Sequence, residues 1–167
     1  MALTLQVIGY KKCGKTTVLT DFLIAAQQLN LKTAIFKHNA HNDADLDQQR
    51  TDTHRFRQTG VAQIILRSDH EVFVRKQQPA QLNLPAMIAT YTDTDTDLIL
   101  VEGFKTADYP KLVLLRSTDK LTDFTVTHLD YQATLWPEKV KDQILDFSTA
   151  AKRQAWFETW LTLKFKK

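Results

Sequence analysis

The run Gly9-Tyr10-Lys11-Lys12-Cys13-Gly14-Lys15-Thr16-Thr17 fits the spacing G-x-x-x-x-G-K-[ST] of a phosphate-binding P-loop. Its flanks agree. Leu3 to Ile8 is a mostly apolar run that predicts a buried strand. Val18, Leu19, Phe22, Leu23, Ala26 and Leu29 then recur at helical spacing. Gly9 and Gly14 permit positive φ and a close approach of backbone to ligand. Successive N–H groups of such a loop converge into an anion nest. A helix beginning near Lys15 adds its partial positive N-terminus. Lys15 is expected on the β- and γ-phosphates, the Thr16 hydroxyl on Mg²⁺, and Thr17 near the α-phosphate. The competing account is a chance match in a turn before a helix, and the presence of both flanks argues against it. The motif predicts nucleoside triphosphate binding. It says nothing of the base or of the fate of the γ-phosphate.

Tyr10, Lys11, Lys12 and Cys13 fill the variable positions of the loop. Cys13 reads as a small residue there. A sharper alternative is a thiol whose pKa is lowered by Lys15 and the helix N-terminus, open to oxidation.

A chain of 167 residues is expected to form one domain, 1–167, able to bury a sizeable core. Its 43% hydrophobic and 25% charged content belongs to an ordinary globular protein. The formal net charge of +3 assists a phosphorylated ligand but does not define a nucleic-acid binder. No apolar run has membrane-spanning length, and the N-terminus lacks the basic region and cleavage site of a signal peptide. The single cysteine excludes an internal disulfide and fits a reducing cytoplasm.

Along the chain, Asn30 suits a left-handed helix end. Thr33 to His38 reads as a second strand, parallel to the first through a right-handed crossover. Asn39 to Asp47 is a polar loop carrying His41, Asp43, Asp45 and Asp47, and a charged helix from about Gln48 to Thr59 ends at Gly60. Val61 to Arg67 and Glu71 to Arg75 flank Ser68-Asp69-His70 as a β-hairpin. Ile64 to Arg75 is the candidate dimer element; an ordinary core-packing hairpin is the alternative. Pro85 suits the first turn of a short helix. Thr92 to Asp97 lacks the glycine and distal glutamate of a calcium hand and reads as a solvated connection. Leu98-Ile99-Leu100-Val101 reads as a central parallel strand, and Lys111 to Arg116 as another. Phe124 to Val126, Ala133 to Trp136 and Gln143 to Phe147 are weaker strand candidates. A last helix follows Thr149, with Ala151, Ala155, Trp156, Trp160 and Leu163 expected to face the sheet. The fold class is therefore α/β: a three-layer, P-loop NTPase-like fold with a mostly parallel sheet and an inserted hairpin.

A P-loop needs a carboxylate at the end of a neighbouring strand to hold Mg²⁺. Glu102, after four apolar residues and before Gly103, fits. Asp52 is a weaker second carboxylate. Lys37 and His38, with His41, stand at the end of the second strand. They read as solvated or anion-contacting groups ahead of a metal site. Lys105 and Lys111 are candidates for phosphate contact, though each alone is more often a surface lysine, and Arg116 ends a strand. There is no Asn/Thr-Lys-x-Asp guanine signature and no arginine-rich lid; Arg50, Arg55 and Arg57 come nearest to one.

The following motifs, taken together, resemble the MobB family, adaptor proteins of molybdopterin-guanine dinucleotide biosynthesis: Gly9 to Thr17; Lys37-His38 with His41; Asp52 before a helix ending in Gly60-Val61-Ala62; Leu98 to Lys105; and Pro110-Lys111 opening a strand that ends in Arg116. The resemblance runs from about Leu3 to Arg116. Arg50-Thr51 and Thr53 depart from the family's usual Gly-Lys and Ser. It implies a P-loop fold, a homodimer, binding of GTP with Mg²⁺, and at most weak GTPase activity. It implies a supporting role beside the guanylyltransferase MobA, which attaches GMP to molybdopterin, with molybdopterin a further candidate partner. By position, Gly14, Lys15, Thr16 and Thr17 hold phosphates and Mg²⁺, Glu102 is the Walker-B acid, and Lys37, His38, Asp52, Lys105 and Lys111 line the site. The alternative is a small P-loop kinase or NTPase acting on a metabolite, for which Lys15, Thr16 and Glu102 suffice electrostatically.

Overall fold

The computed structural model describes residues 2–38, 52–77, 82–141 and 143–166. In chain order the elements are β1 (Leu3–Gly9), α1 (Lys15–Gln28), β2 (Thr33–Lys37), α2 (Asp52–Gln58), β3 (Gln63–Arg67), β4 (Val72–Lys76), α3 (Leu84–Tyr91), β5 (Leu98–Glu102), β6 (Lys111–Leu114), β7 (Leu129–Thr134), β8 (Ile144–Asp146) and α4 (Ala150–Phe165). They fall into two compact units, Met1–His38 with Leu84–Lys167, and Asn39–Asn83.

The larger unit is built on one sheet in the order β2-β5-β1-β6-β7-β8, every neighbouring pair parallel. A parallel sheet covered on both faces needs continuous apolar runs, and β5 is buried at all its positions. Leu5, Val7, Leu98, Leu100, Leu112 and Leu114 point to one face, where α1 and α4 pack. Phe22 of α1 stacks on Phe157 of α4 with ring centroids 4.2 Å apart. The opposite face carries Phe36, Ile99 and Val101 beneath α3, and Ile8, Val113 and Leu115 beneath the segment from Leu121 to Val126. This is the three-layer α/β arrangement. β1 lies between β5 and β6, so the chain order reverses beside its carboxyl end, the place where open α/β sheets bind ligands.

α1 ends where Asn30 takes φ 56° and Asn30 N–H reaches Gln27 O at 3.0 Å, the left-handed termination expected of that residue. α4 begins at Thr149, whose hydroxyl accepts from Lys152 N–H at 3.3 Å.

Three expectations are corrected. Phe124 to Val126 is not a strand; it follows a 3₁₀ turn, Leu121–Asp123, and packs against Ile8 and Val113. β7 begins earlier and stops at Thr134, because Pro137 opens a second 3₁₀ turn. The buried face of α4 is Arg153, Phe157, Trp160 and Leu161, with Trp156 partly buried; Ala151, Ala155 and Leu163 are exposed. Arg153 belongs inside because Asp21 of α1 pairs with its Nε at 2.5 Å and Phe147 O accepts from Nη1.

In the smaller unit, β3 and β4 form the expected antiparallel hairpin, with Ile65 opposite Val74 and Leu66 opposite Phe73. α2 begins at Asp52; the expected start at Gln48 lies outside the described residues. Among the described residues, no helix is long and apolar enough to cross a membrane.

Candidate functional site

Gly9 closes β1 and Gly14, at φ 87°, opens α1. The loop between them is tight. A Cβ at Gly9 would strike Cys13 Sγ and lie 2.7 Å from Leu114 O, and one at Gly14 would lie 2.7 Å from Leu135 Cδ2. Only glycine fits either place. Unlike α4, which Thr149 caps, α1 has no side-chain cap, and its first turn holds no acidic residue. Its leading N–H groups are therefore available to an anion.

Lys15 folds back over the loop: its Nζ donates to Tyr10 O at 2.8 Å and to Gly9 O at 3.3 Å. The Thr16 hydroxyl donates to Glu102 Oε2 at 3.1 Å, across 86 residues of sequence. Lys37 Nζ stands 3.3 Å from the same oxygen, and His38 N–H donates to Glu102 O. The sheet register accounts for this, since Lys37 of β2 and Val7 of β1 flank Glu102 of β5. Glu102 is 8% exposed and thus held between a hydroxyl and an ammonium. Lys11 and Lys12 in the loop and Thr17 in the first turn of α1 are exposed.

Lys105 lies farther along the same edge. Its Nζ is 5.0 Å from the Tyr10 ring centroid and 5.8 Å from that of Phe124, a cation–π arrangement. Arg116 approaches the Tyr10 ring as well, at 5.1 Å, and its Nη2 donates to Asp119 Oδ1 at 2.8 Å. The Arg116 guanidinium holds the Asp119 carboxyl below the usual range. Lys139 donates to Asp119 O at 2.6 Å, and the Thr134 hydroxyl to Leu115 O at 2.8 Å. The loops after β6 and β7 are thereby tied together.

Two expectations change, those for Cys13 and Lys111. Cys13 is buried, and burial pushes its thiol up despite Lys15; the activated thiol is not supported. Lys111 does not line the site. It is buried beneath the loop after β5, where its Nζ donates to Ala107 O and Tyr109 O. Asp52 is exposed at the start of α2, in the smaller unit, and pairs with Arg55 at 3.5 Å. His38 is exposed and packs against Phe104, ring centroids 4.9 Å apart; His41 lies outside the described residues. Among the described residues, no group of three or more His, Cys, Asp or Glu is placed to hold a metal. Gln6 escaped the sequence reading, although a glutamine inside an apolar strand is itself a signal. Its Nε2 donates to Gly103 O at 2.6 Å and Phe104 O at 2.5 Å.

A parallel α/β sheet whose first strand runs through a glycine-bounded loop into an uncapped helix defines a class of phosphate-loop-like domains. Within that class, comparison with known proteins gives the assignment. The family MobB, molybdopterin guanine dinucleotide synthesis protein B, matches residues 4–134, so the chain belongs to the MobB family. The match extends past Arg116, the last residue of the motifs that carry the resemblance. A molybdopterin-guanine dinucleotide biosynthesis adapter protein of Haemophilus influenzae is 30% identical over 94% of this chain and 88% of its own length. The Escherichia coli adapter protein is 33% identical over 67% of this chain and 65% of its own. The crystal structure of Bacillus subtilis MobB superposes with a TM-score of 0.80 at 22% identity, covering 93% of this chain and 96% of that one. The fold is thus that of solved MobB structures.

Proposed function

We propose that the chain is an adapter of molybdopterin guanine dinucleotide synthesis that binds GTP with Mg²⁺ on Gly9–Thr17 and supports a MobA-like guanylyltransferase. The observation that carries this reading is the contact between Thr16 and Glu102 beside the uncapped start of α1. Hydroxyl and carboxylate oxygens are the donors Mg²⁺ prefers, and these two fit it. The ion neutralises charge on the phosphates when bound. The chain's own residues do the rest. The α1 N–H groups and the loop amides receive the phosphates. Lys15 is held ready by two carbonyls and exchanges them for phosphate oxygens. Lys37 balances the Glu102 charge. The relatives are named adapter proteins, which supports a binding role with turnover below about 1 s⁻¹. The same Thr16–Glu102 pair also favours a second reading, a small P-loop kinase.

We infer as well that the adapter is a homodimer through the β3–β4 hairpin, where Ile65, Val72, Phe73 and Val74 are all more than half exposed.

Calorimetric titration of GTP and ATP with Mg²⁺ into wild type and Lys15→Ala tests the main reading. The expected result is a GTP preference, with affinity lost at least a hundredfold in the variant, about 2.7 kcal/mol. ATP preference together with phosphoryl transfer to a metabolite would establish the kinase instead.

A further inference from the structure

Two long polar side chains, Gln6 of β1 and Lys111 of β6, lie side by side, fully buried, in the middle of the sheet. They are paired in the parallel register, so both rise from the face opposite α1 and α4. Both reach into the same loop, Gly103–Tyr109. Gln6 Nε2 takes the carbonyls of Gly103 and Phe104, and Lys111 Nζ takes those of Ala107 at 2.5 Å and Tyr109 at 3.0 Å.

The arrangement is costly. Among the described residues Lys111 forms no salt bridge. Burial pushes its ammonium below the ordinary lysine range, with Asp108 and Asp130 opposing only in part. Gln6 Oε1 is buried without a hydrogen-bond partner. Unpaired buried polar groups cost free energy, and an apolar pair such as the neighbouring Ile8 and Val113 would fill the face without that cost. The loop above is also strained. Gly103 has φ 87° and Phe104 φ 52°, and a bulky side chain rarely adopts the latter. The carbonyls that Gln6 holds belong to these two residues. Such strain persists only where surroundings enforce it, and it gathers at ligand sites.

The loop begins immediately after Glu102 and carries Lys105 to the Tyr10 ring at the P-loop. We propose that Gln6 and Lys111 are positioning residues that hold the Gly103–Tyr109 loop from beneath and so fix Lys105 over the P-loop as a second cation for the phosphate chain. This rests on the phosphate-binding reading of Gly9–Thr17 but not on the choice of base.

The probe is therefore tripolyphosphate with Mg²⁺, titrated calorimetrically into wild type, Lys111→Met, Lys105→Ala and the double variant. Amide hydrogen exchange is followed on the ligand-free proteins. Lys111→Met is expected to speed exchange in Gly103–Tyr109 well beyond the rest of the sheet and to weaken tripolyphosphate about tenfold. In the Lys105→Ala background the same change should weaken it less than twofold, because Lys111 acts through Lys105. Equal losses in both backgrounds would make Lys111 a purely structural residue. Unchanged loop exchange, or a wild type that ignores tripolyphosphate, would overturn the proposal. Should Lys111→Met not fold, Gln6→Met removes the other clamp at nearly constant volume, with the same pattern expected. A protein that binds tripolyphosphate but prefers ATP sinks the GTP adapter and leaves the clamp standing.

Discussion

The sheet face under Gly103–Tyr109 and the β3–β4 hairpin invert the usual partition in opposite senses. Under the loop, Gln6 and Lys111 are polar and buried. On the hairpin, Ile65 and Phe73 are apolar yet 62% and 58% exposed. The buried polar pair spends its hydrogen bonds on one loop of its own chain, next to the phosphate loop. The exposed apolar residues find no such cover within their own hairpin. Polar groups inside therefore point to a ligand, and apolar groups outside point to a partner surface.

The largest effect separates the true core from the hairpin. Phe157 stacks on Phe22 at 4.2 Å, and Phe157→Ala is expected to cost about 3–5 kcal/mol in denaturant unfolding. Phe73→Ala should cost less than about 0.5 kcal/mol in dilute protein, and more as concentration rises if the face is covered by a second copy. Equal costs at every concentration would mean that Phe73 is already packed within its own chain, and the comparison would break.

Arg153→Met comes next. It strands the Asp21 carboxylate, whose side chain is only 13% exposed, and removing one partner of such a pair costs about 3 kcal/mol. A neutral outcome would show that α4 docks on α1 by its aromatic stripe alone.

Asp119→Asn is smaller, about 2 kcal/mol, because a hydrogen-bonded charge on a half-exposed arginine is lost. It also has a pH signature. The folded carboxyl titrates below its unfolded value of 3.8. Its contribution is therefore complete above that unfolded value and is lost as pH falls through the lower, folded one. Wild type should lose stability on acidification more steeply than Asp119→Asn. Parallel acid limbs would place the lock between the loops after β6 and β7 in Lys139 and Thr134 rather than in the carboxylate.

What the sequence disclosed follows from how local each signal is. Gly9 to Thr17 and the acid after Leu98–Val101 are written in consecutive residues, and the structure joins Thr16 to Glu102 as that pattern requires. Lys111 reads in sequence as a strand-opening lysine and a candidate phosphate contact, and the structure instead buries it. That it faces inward follows from its pairing with Gln6, a contact across more than a hundred residues that no window contains. Arg153 hid the buried face of α4 because a charged residue reads as solvated until Asp21 is found beside it. β8 is an edge strand of three half-buried residues, and β7 beside it is fully buried only at its last two positions, so the apolar pattern that marks a strand is weakest there.

The smallest effect on the fold, and the sharpest test of the hairpin, is Ile65→Lys combined with Phe73→Lys. These residues lie on adjacent register pairs, Ile65 with Val74 and Leu66 with Phe73, so they point to opposite faces of the ribbon. A two-stranded ribbon with apolar side chains on both faces is marginal alone, and covering either face by a second copy would bury one of the two. Neither side chain is buried in the chain itself, so unfolding of dilute protein should move by less than about 0.5 kcal/mol. The mass measured by light scattering should fall from dimer to monomer. Single substitutions then divide the two faces: the one that lowers the mass marks the face that carries the contact. A dimer that survives both changes would remove the hairpin from the interface and leave its exposed apolar residues to a different partner.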